Sequence, residues 1–286
     1  MSVVVTGATG QLGRLTVEAL LRRGVPASDI VATGRDITGI KDLAERGVMV
    51  RRADFADPDS LGAAFAGADK LLLISASIPV DERVANHRRA IDAALAAGVS
   101  LVAYTSMLHA DTGTTILAAT HRATEEYLRE RSAPSVLLRN GWYLESCIGQ
   151  LPQVLQNGTV IGAAGQGRVS AASRADYAEA AAIVLTTEGH AGAVYELGGD
   201  EAFTQSELAA AISAVAGKQI TYTELSAPKL AQVLTDTGLP AELPGILADN
   251  DLGWSRSELF TSSGDLRRLI GRPTTPLADA VAEALR

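Results

Sequence analysis

Gly7, Gly10 and Gly13 stand three residues apart, directly behind the β-branched run Val3-Val4-Val5-Thr6. Leu12, Leu15, Ala19 and Leu20 follow at helical spacing. That order predicts a strand, a tight turn and the start of a helix. In such a turn the first glycine lets the chain reverse. The second clears the space where a pyrophosphate reaches the backbone, and the third lets helix and strand pack closely. The free N–H groups and positive dipole end of the helix favour phosphate. A glycine trio alone is only a turn; the strand before it and the helix behind it favour dinucleotide binding.

The next strand candidate, residues 30–33, ends in Gly34-Arg35-Asp36. NAD-selective sites place an acid at this tip, about 20 residues past the glycines. Here the tip carries Arg35, and a guanidinium can grip the 2′-phosphate that distinguishes NADP from NAD. NADP (NADPH) is the expected cofactor, with Asp36 available to cap the segment that follows. The four histidines show no metal-ligand spacing, so no metal is expected. The single cysteine, Cys147, excludes an internal disulfide, fits a reducing compartment and reads as an apolar core residue.

These groups need a scaffold, and the chain of 286 residues is long enough for one. Hydrophobic residues make up 47%, which allows a sizeable core. A net charge of −8 with no basic block argues against nucleic acid as a main partner. No charged segment leads into an apolar one at the start. The longest apolar run, residues 71–74, is far short of a bilayer span. A soluble, cytoplasmic protein with no membrane partner is expected; the sequence leaves its oligomeric state open.

Strand candidates at 3–6, 30–33, 48–51, 70–74, 101–104 and 135–138 alternate with helix candidates at 11–23, 37–46, 59–66, 83–97 and 115–131. Gly24, Gly47, Gly67 and Gly98 fall just past helical patterns, where C′ glycines belong. The strands are continuous apolar runs, as in a parallel sheet covered on both faces. The expected fold is α/β, a doubly wound parallel sheet (Rossmann fold) with a smaller C-terminal substrate lobe. The core is assigned to 1–140. Residues 141–286 form the mixed segment that returns partly to the sheet. There, a helix at 174–186, strands at 194–197 and 220–225, and a helix from Thr204 with a capping box to Glu207 are expected. The remainder, including 227–263, reads as irregular, with helix beyond 240.

Gly7-Ala8-Thr9-Gly10-Gln11-Leu12-Gly13, Ala53-Asp54-Phe55, Leu138-Arg139-Asn140-Gly141-Trp142-Tyr143 and Ser173-Arg174-Ala175-Asp176-Tyr177 together resemble the NmrA-like group of atypical short-chain dehydrogenases. Within it, the chain is most similar to the quinone reductase and triphenylmethane reductase branch. The resemblance implies that Gly7, Thr9, Gly10, Gln11 and Leu12 face the pyrophosphate and that Arg35 holds the 2′-phosphate. Asp54 and Phe55 would border the adenine, and Ser75, Ala76 and Ser77 would follow the ribose and phosphates. Thr105, Ser106, Asn140, Gly141 and Tyr143 would surround the nicotinamide. Each can also be read more plainly: Asp54 as a helix cap, Tyr143 as packing, Ser75 and Ser77 as turn residues.

Typical short-chain dehydrogenases carry Tyr-x-x-x-Lys on the helix after the fifth strand. Aligning Glu125-Glu126-Tyr127-Leu128 puts His121 at the lysine position and Leu117 at the tyrosine position. The usual general acid is therefore absent. His121 either bonds the nicotinamide ribose or is a partly exposed helix histidine. A missing acid points to acceptors that need none, a quinone or a cationic aromatic carbon, and to hydride transfer governed by proximity. The acceptor ring would lie near Tyr143, Met107 and Leu108. His121 and Tyr143 are the candidate catalytic residues. The rival reading is a non-enzymatic NADP-binding redox sensor of the same group.

Overall fold

The computed structural model describes residues 1–76 and 80–286. Strand and helix alternate through the first half: β1 (Val3–Val5), α1 (Gln11–Arg22), β2 (Ile30–Gly34), α2 (Lys41–Glu45), β3 (Met49–Arg52), α3 (Pro58–Phe65), β4 (Lys70–Leu73), α4 (Val80–Ala96), β5 (Leu101–Met107), α5 (Ile116–Glu130) and β6 (Ser135–Asn140). The second half continues with α6 (Leu144–Cys147), α7 (Leu151–Asn157), β7 (Thr159–Gly162), α8 (Arg174–Thr186), β8 (Val194–Leu197), α9 (Gln205–Ala216), β9 (Thr221–Glu224), α10 (Ala227–Asp236), α11 (Leu243–Ser255), α12 (Asp265–Ile270) and α13 (Leu277–Ala284).

Seven strands form one sheet in the order β3-β2-β1-β4-β5-β6-β8, while β7 and β9 pair separately. The pairs β1–β2, β1–β4, β2–β3 and β4–β5 are parallel. The chain winds outwards in both directions from β1, so the strand order reverses between β1 and β4. That is the doubly wound arrangement, with its crevice at the carboxyl ends of those strands. β1, β2, β4 and β5 are buried throughout, which is why they read as unbroken apolar runs.

Gly24, Gly47, Gly67 and Gly98 all take positive φ at helix ends, as their positions predict. Thr204 and Glu207 close the expected capping box on α9. Two expectations change. The helix placed at 37–46 shrinks to α2, because the Asp36 carboxylate takes the Thr38 N–H at 2.9 Å and holds a turn there. Residues 227–239, read as irregular, contain α10, while α11 falls in the stretch beyond 240 where helix is expected. Both carry a proline, Pro228 and Pro244, in the first turn. Proline reads as a breaker in sequence but suits a helix start.

The chain forms two compact units, each discontinuous in sequence: residues 1–106, 120–139 and 174–195, and residues 107–119, 140–173 and 196–286. There is thus no single cut after residue 140. Within the first unit α8 packs along α1, with Arg23 on Glu179 at 3.1 Å and on the Thr186 hydroxyl at 3.2 Å. Phe65, Leu71, Ile91, Val102 and Tyr104 are the fully buried heart of that unit. Within the second, Glu258 accepts the Thr114 N–H at 3.0 Å and hydroxyl at 2.7 Å, and Asp249 accepts the Ile116 N–H at 2.7 Å. Those bonds hold the segment after β5 to α11 and its end. Leu144, Val169, Ile212, Trp254 and Leu259 centre the second core. Among the described residues no helix is long and apolar enough to cross a membrane.

Candidate active site

In the first unit the turn after β1 is built as its glycines require. Gly7 takes φ +61, and Gly10 N–H returns to Gly7 O at 2.9 Å. A β-carbon on Gly13 would lie 2.3 Å from Gly7 O and 2.8 Å from Ala8 Cα, so only glycine fits there. At Gly10 it would meet Gly7 O alone, at 3.3 Å. The fold therefore demands Gly13, whereas Gly10 leaves room. Gly10 is the N-cap of α1 and supplies no side-chain cap, and the first turn carries no acid. The helix start is thus open to an anion. Thr9, Gly10 and Gln11 are exposed there, while Leu12 is buried and offers only its backbone. Gly34 is a further requirement the sequence reading passed over. A β-carbon on it would sit 2.7 Å from Thr9 Cγ2.

Arg35 is exposed at the tip of β2 and makes no hydrogen bond or ion pair among the described residues. Its neighbours differ. Arg14 pairs with Asp42, Arg46 with Glu18 at 2.9 Å and Arg52 with Asp57 at 3.0 Å. Asp54 and Phe55 are half-buried after β3. The cap of α3 is Asp57, which accepts Ser60 N–H at 3.3 Å. Asp54 instead accepts Ala56 N–H at 3.0 Å.

Hydrogen bonds stitch the carboxyl ends of β1, β4 and β5. Ile74 N–H donates to the Thr6 hydroxyl and Ser75 N–H to that of Thr105, each at 2.9 Å. Ser77 lies outside the described residues. Ser106, 5% exposed, donates its hydroxyl proton to Glu125 at 2.6 Å. Arg139 holds the same carboxylate with two bonds, at 2.9 and 2.7 Å. Glu125 and Arg139 stood in quoted motifs, but their pairing needs the sheet: β6 brings Arg139 level with α5.

His121 is buried, 5% exposed, which corrects its reading as a partly exposed helix residue. Its Nδ1 lies 2.8 Å from the Tyr104 hydroxyl. His87, fully buried on α4, accepts the Ala76 N–H on Nε2 at 2.9 Å, with Nδ1 3.0 Å from the Thr124 hydroxyl. Burial, then the nearby Arg83 guanidinium, lowers the His87 pKa to about 3. The same two causes, with His87 added, push His121 well below the usual histidine value. Both imidazoles are neutral at neutral pH.

In the second unit Asn140 is 5% exposed, and its Oδ1 is buried without a partner among the described residues. Such an atom lacks an acceptor's due. Gly141 N–H donates to Leu197 O at 2.7 Å, and Tyr143 starts α6, bridged to Ala172. Met107 and Leu108 are buried, so they form wall and core rather than an exposed stacking face. Leu117 packs on the same unit's apolar cluster. A cavity of about 190 Å³ in this unit is lined by Trp142, Val160, Leu208 and Trp254, with Gln205 and Asp251. Burial raises the Asp251 pKa. Cys147, half-buried, also lines it. Among the described residues no cluster of His, Cys, Asp and Glu could hold a metal ion.

In the first unit, the uncapped start of α1 and a guanidinium at the β2 tip without a partner among the described residues are groups that fit the phosphates of a dinucleotide. Relatives of the chain carry such ligands. It is 48% identical over 280 residues to quinone oxidoreductase 2 of Escherichia coli, covering 98% of this chain and 97% of that protein. The crystal structure of that NADPH-dependent enzyme complexed with NADPH matches with a TM-score of 0.95, over 99% of this chain and 100% of the other. Citrobacter sp. triphenylmethane reductase complexed with NADP(H) matches at 38% identity and a TM-score of 0.94, over 99% and 100%. The profile of the NmrA-like family matches residues 1–247, and the chain belongs to that family.

Proposed function

We propose that the chain is an NADPH-dependent oxidoreductase that passes hydride to a quinone or a similar electrophilic aromatic acceptor. The observation that carries this reading is the likeness to a quinone oxidoreductase along nearly the whole of both chains. NADPH, when bound, supplies the hydride. The chain's residues bind and orient it. The turn from Gly7 to Leu12 receives the pyrophosphate on backbone N–H groups, and Arg35 takes the 2′-phosphate. Asp54 and Phe55 border the adenine, and Ser75 and Ala76 follow the ribose and phosphates. Thr105, Ser106, Asn140, Gly141 and Tyr143 surround the nicotinamide, and His121 bonds its ribose side. The second unit is the acceptor lobe. Its 190 Å³ cavity exceeds the roughly 150 Å³ that accepts a benzene ring.

Reduction of a quinone needs one hydride and one proton. The hydride leaves an oxyanion stabilised by the ring, which takes its proton from water. No residue of the chain has to give one, and proximity and orientation supply the rate. The reading places the protein in the cytoplasm, where the half-buried Cys147 thiol stays reduced.

NADPH oxidation measured with a panel of quinones tests the reading. The expected result is a rate well above that without protein, with kcat nearly constant across neutral pH. A pH limb near an imidazole pKa that vanishes in His121→Ala would make this histidine the proton donor instead. Tight NADPH binding with no quinone turned over would favour the sensor.

A further inference from the structure

Tyr104, on β5, lies between two buried histidines, and the backbone fixes which way its proton points. The Ala76 N–H donates to His87 Nε2 at 2.9 Å. An amide can only donate, so Nε2 is a bare lone pair and neutral His87 carries its proton on Nδ1. That proton goes to the Thr124 hydroxyl at 3.0 Å, whose own proton goes to Thr120 O at 3.0 Å. The Tyr104 hydroxyl lies 3.4 Å from His87 Nδ1 and 2.8 Å from His121 Nδ1, and it also interacts with the Thr124 hydroxyl. His87 Nδ1 already bears a hydrogen and the Thr124 oxygen already takes it, which leaves His121 Nδ1 as the close acceptor. Tyr104 therefore donates to His121, whose single proton must sit on Nε2. That nitrogen has no hydrogen-bond partner among the described residues.

We infer that Tyr104 and His87 are positioning residues, which fix His121 as a neutral imidazole offering its Nε2–H to an oxygen of the bound cofactor or acceptor. The inference rests on the reading of His121 as a site residue given above. The surroundings keep the ring neutral. Arg83 on α4, 6% exposed, donates through Nε to Ala76 O at 2.5 Å and disfavours a second cation beside it. Glu125 on α5 offers little relief, because Arg139 of β6 and Ser106 of β5 occupy both of its oxygens. The network also ties the segment after β4 to α5. Arg83 holds the carbonyl of Ala76 and His87 its N–H, so one residue of the proposed cofactor wall and His121 share a single set of hydrogen bonds.

Nitrogen-15 spectra of the four imidazoles test this in the intact wild-type chain. The expected result is opposite tautomers, Nδ1–H for His87 and Nε2–H for His121, both unchanged from pH 8 to pH 5.5. A His121 that carries its proton on Nδ1, or that titrates in this range, overturns the inference whatever the activity. Kinetics give the second arm. Tyr104→Phe keeps the ring and removes the donor. It should weaken either NADPH binding or the quinone kcat/KM about fivefold to tenfold, the scale of one neutral hydrogen bond. A loss in NADPH affinity identifies the cofactor's oxygen, and a loss in quinone kcat/KM the acceptor's. The double variant with His121→Ala should lose no more than His121→Ala alone. Additive losses, or no loss in Tyr104→Phe, overturn the positioning role. Absence of quinone turnover in the wild type would sink the reductase reading and leave the tautomer result standing.

Discussion

Mild acid should destabilise this protein through two histidines. His87 and His121 are buried and neutral, with pKa values of about 3 and well below 6.5. In the unfolded chain each returns to about 6.5 and takes up a proton. A base with a depressed folded pKa contributes stability above its unfolded pKa, and loses it as pH falls towards the folded one. Each histidine then costs about 1.2 kcal/mol between pH 7 and pH 5.5, so the pair costs about 2.5 kcal/mol. That is a large share of the about 5–15 kcal/mol a domain has. Carboxylates with lowered pKa values, such as Glu18, Asp57 and Glu207, lose their contribution only at lower pH. Asp251, whose pKa burial raises, works the other way and offsets part of the loss. Urea unfolding followed by circular dichroism at pH 7, 6.5, 6 and 5.5 reads the slope. Stability that stays constant across that range would refute the claim that these imidazoles are buried without charge.

The other predictions concern single side chains. Arg35→Ala should leave thermal stability unchanged, since Arg35 has no hydrogen bond or ion pair among the described residues, and weaken NADPH by about 1.5–3 kcal/mol. NADH affinity should hardly move, and equal losses in titrations of both cofactors would show that Arg35 does not read the phosphate. Gly10→Val should fold and lose both cofactors, because its β-carbon meets only one atom of the protein, at 3.3 Å. Gly13→Ala should instead lower the melting temperature even without cofactor, its β-carbon standing 2.3 Å from Gly7 O; a wild-type melt would contradict that packing. Glu125→Gln removes the charge from the buried carboxylate that holds Arg139 with two bonds, so it should lower stability in urea unfolding by about 3 kcal/mol. A loss below about 1 kcal/mol would mean that the charge of this pair does little to hold α5 to β6.

The sheet was legible because its strands are apolar runs punctuated by C′ glycines. Gly24, Gly47, Gly67 and Gly98 mark helix ends correctly, since only glycine takes positive φ there without strain. Local chemistry was legible too: the Thr204–Glu207 box needs only residues three apart. Partners distant in the chain were not. Glu125 and Arg139 meet because β6 lies beside β5, and nothing in either segment announces the other. His121 looked half-exposed because its own helix has a polar side. What buries it are Tyr104 and the rest of the first unit's core. The second half suffered most. α10 carries Pro228 in its first turn, and that proline reads as a breaker although Leu230 and Leu234 form an inward stripe at helical spacing.

The proton inventory explains why such a site favours acceptors that need no acid. Ketone reduction places charge on an alkoxide, which demands a donor of suitable pKa at that oxygen. Among the candidate residues, Ser106 gives its proton to Glu125 at 2.6 Å. Tyr104 is fully buried, and burial raises its pKa, so its proton stays where His121 Nδ1 receives it. His121 can offer a hydrogen bond through Nε2 but would leave an imidazolate behind if it gave that proton away. Leu117 stands where a tyrosine would act, and it packs into an apolar cluster. Ser106, Tyr104, His121 and Leu117 are therefore committed or of the wrong type. An acceptor whose reduced form is a ring-stabilised oxyanion makes no demand on them. The same commitment of protons that rules out a strong acid gives fixed donors and acceptors, and orientation is what hydride transfer between two flat rings requires.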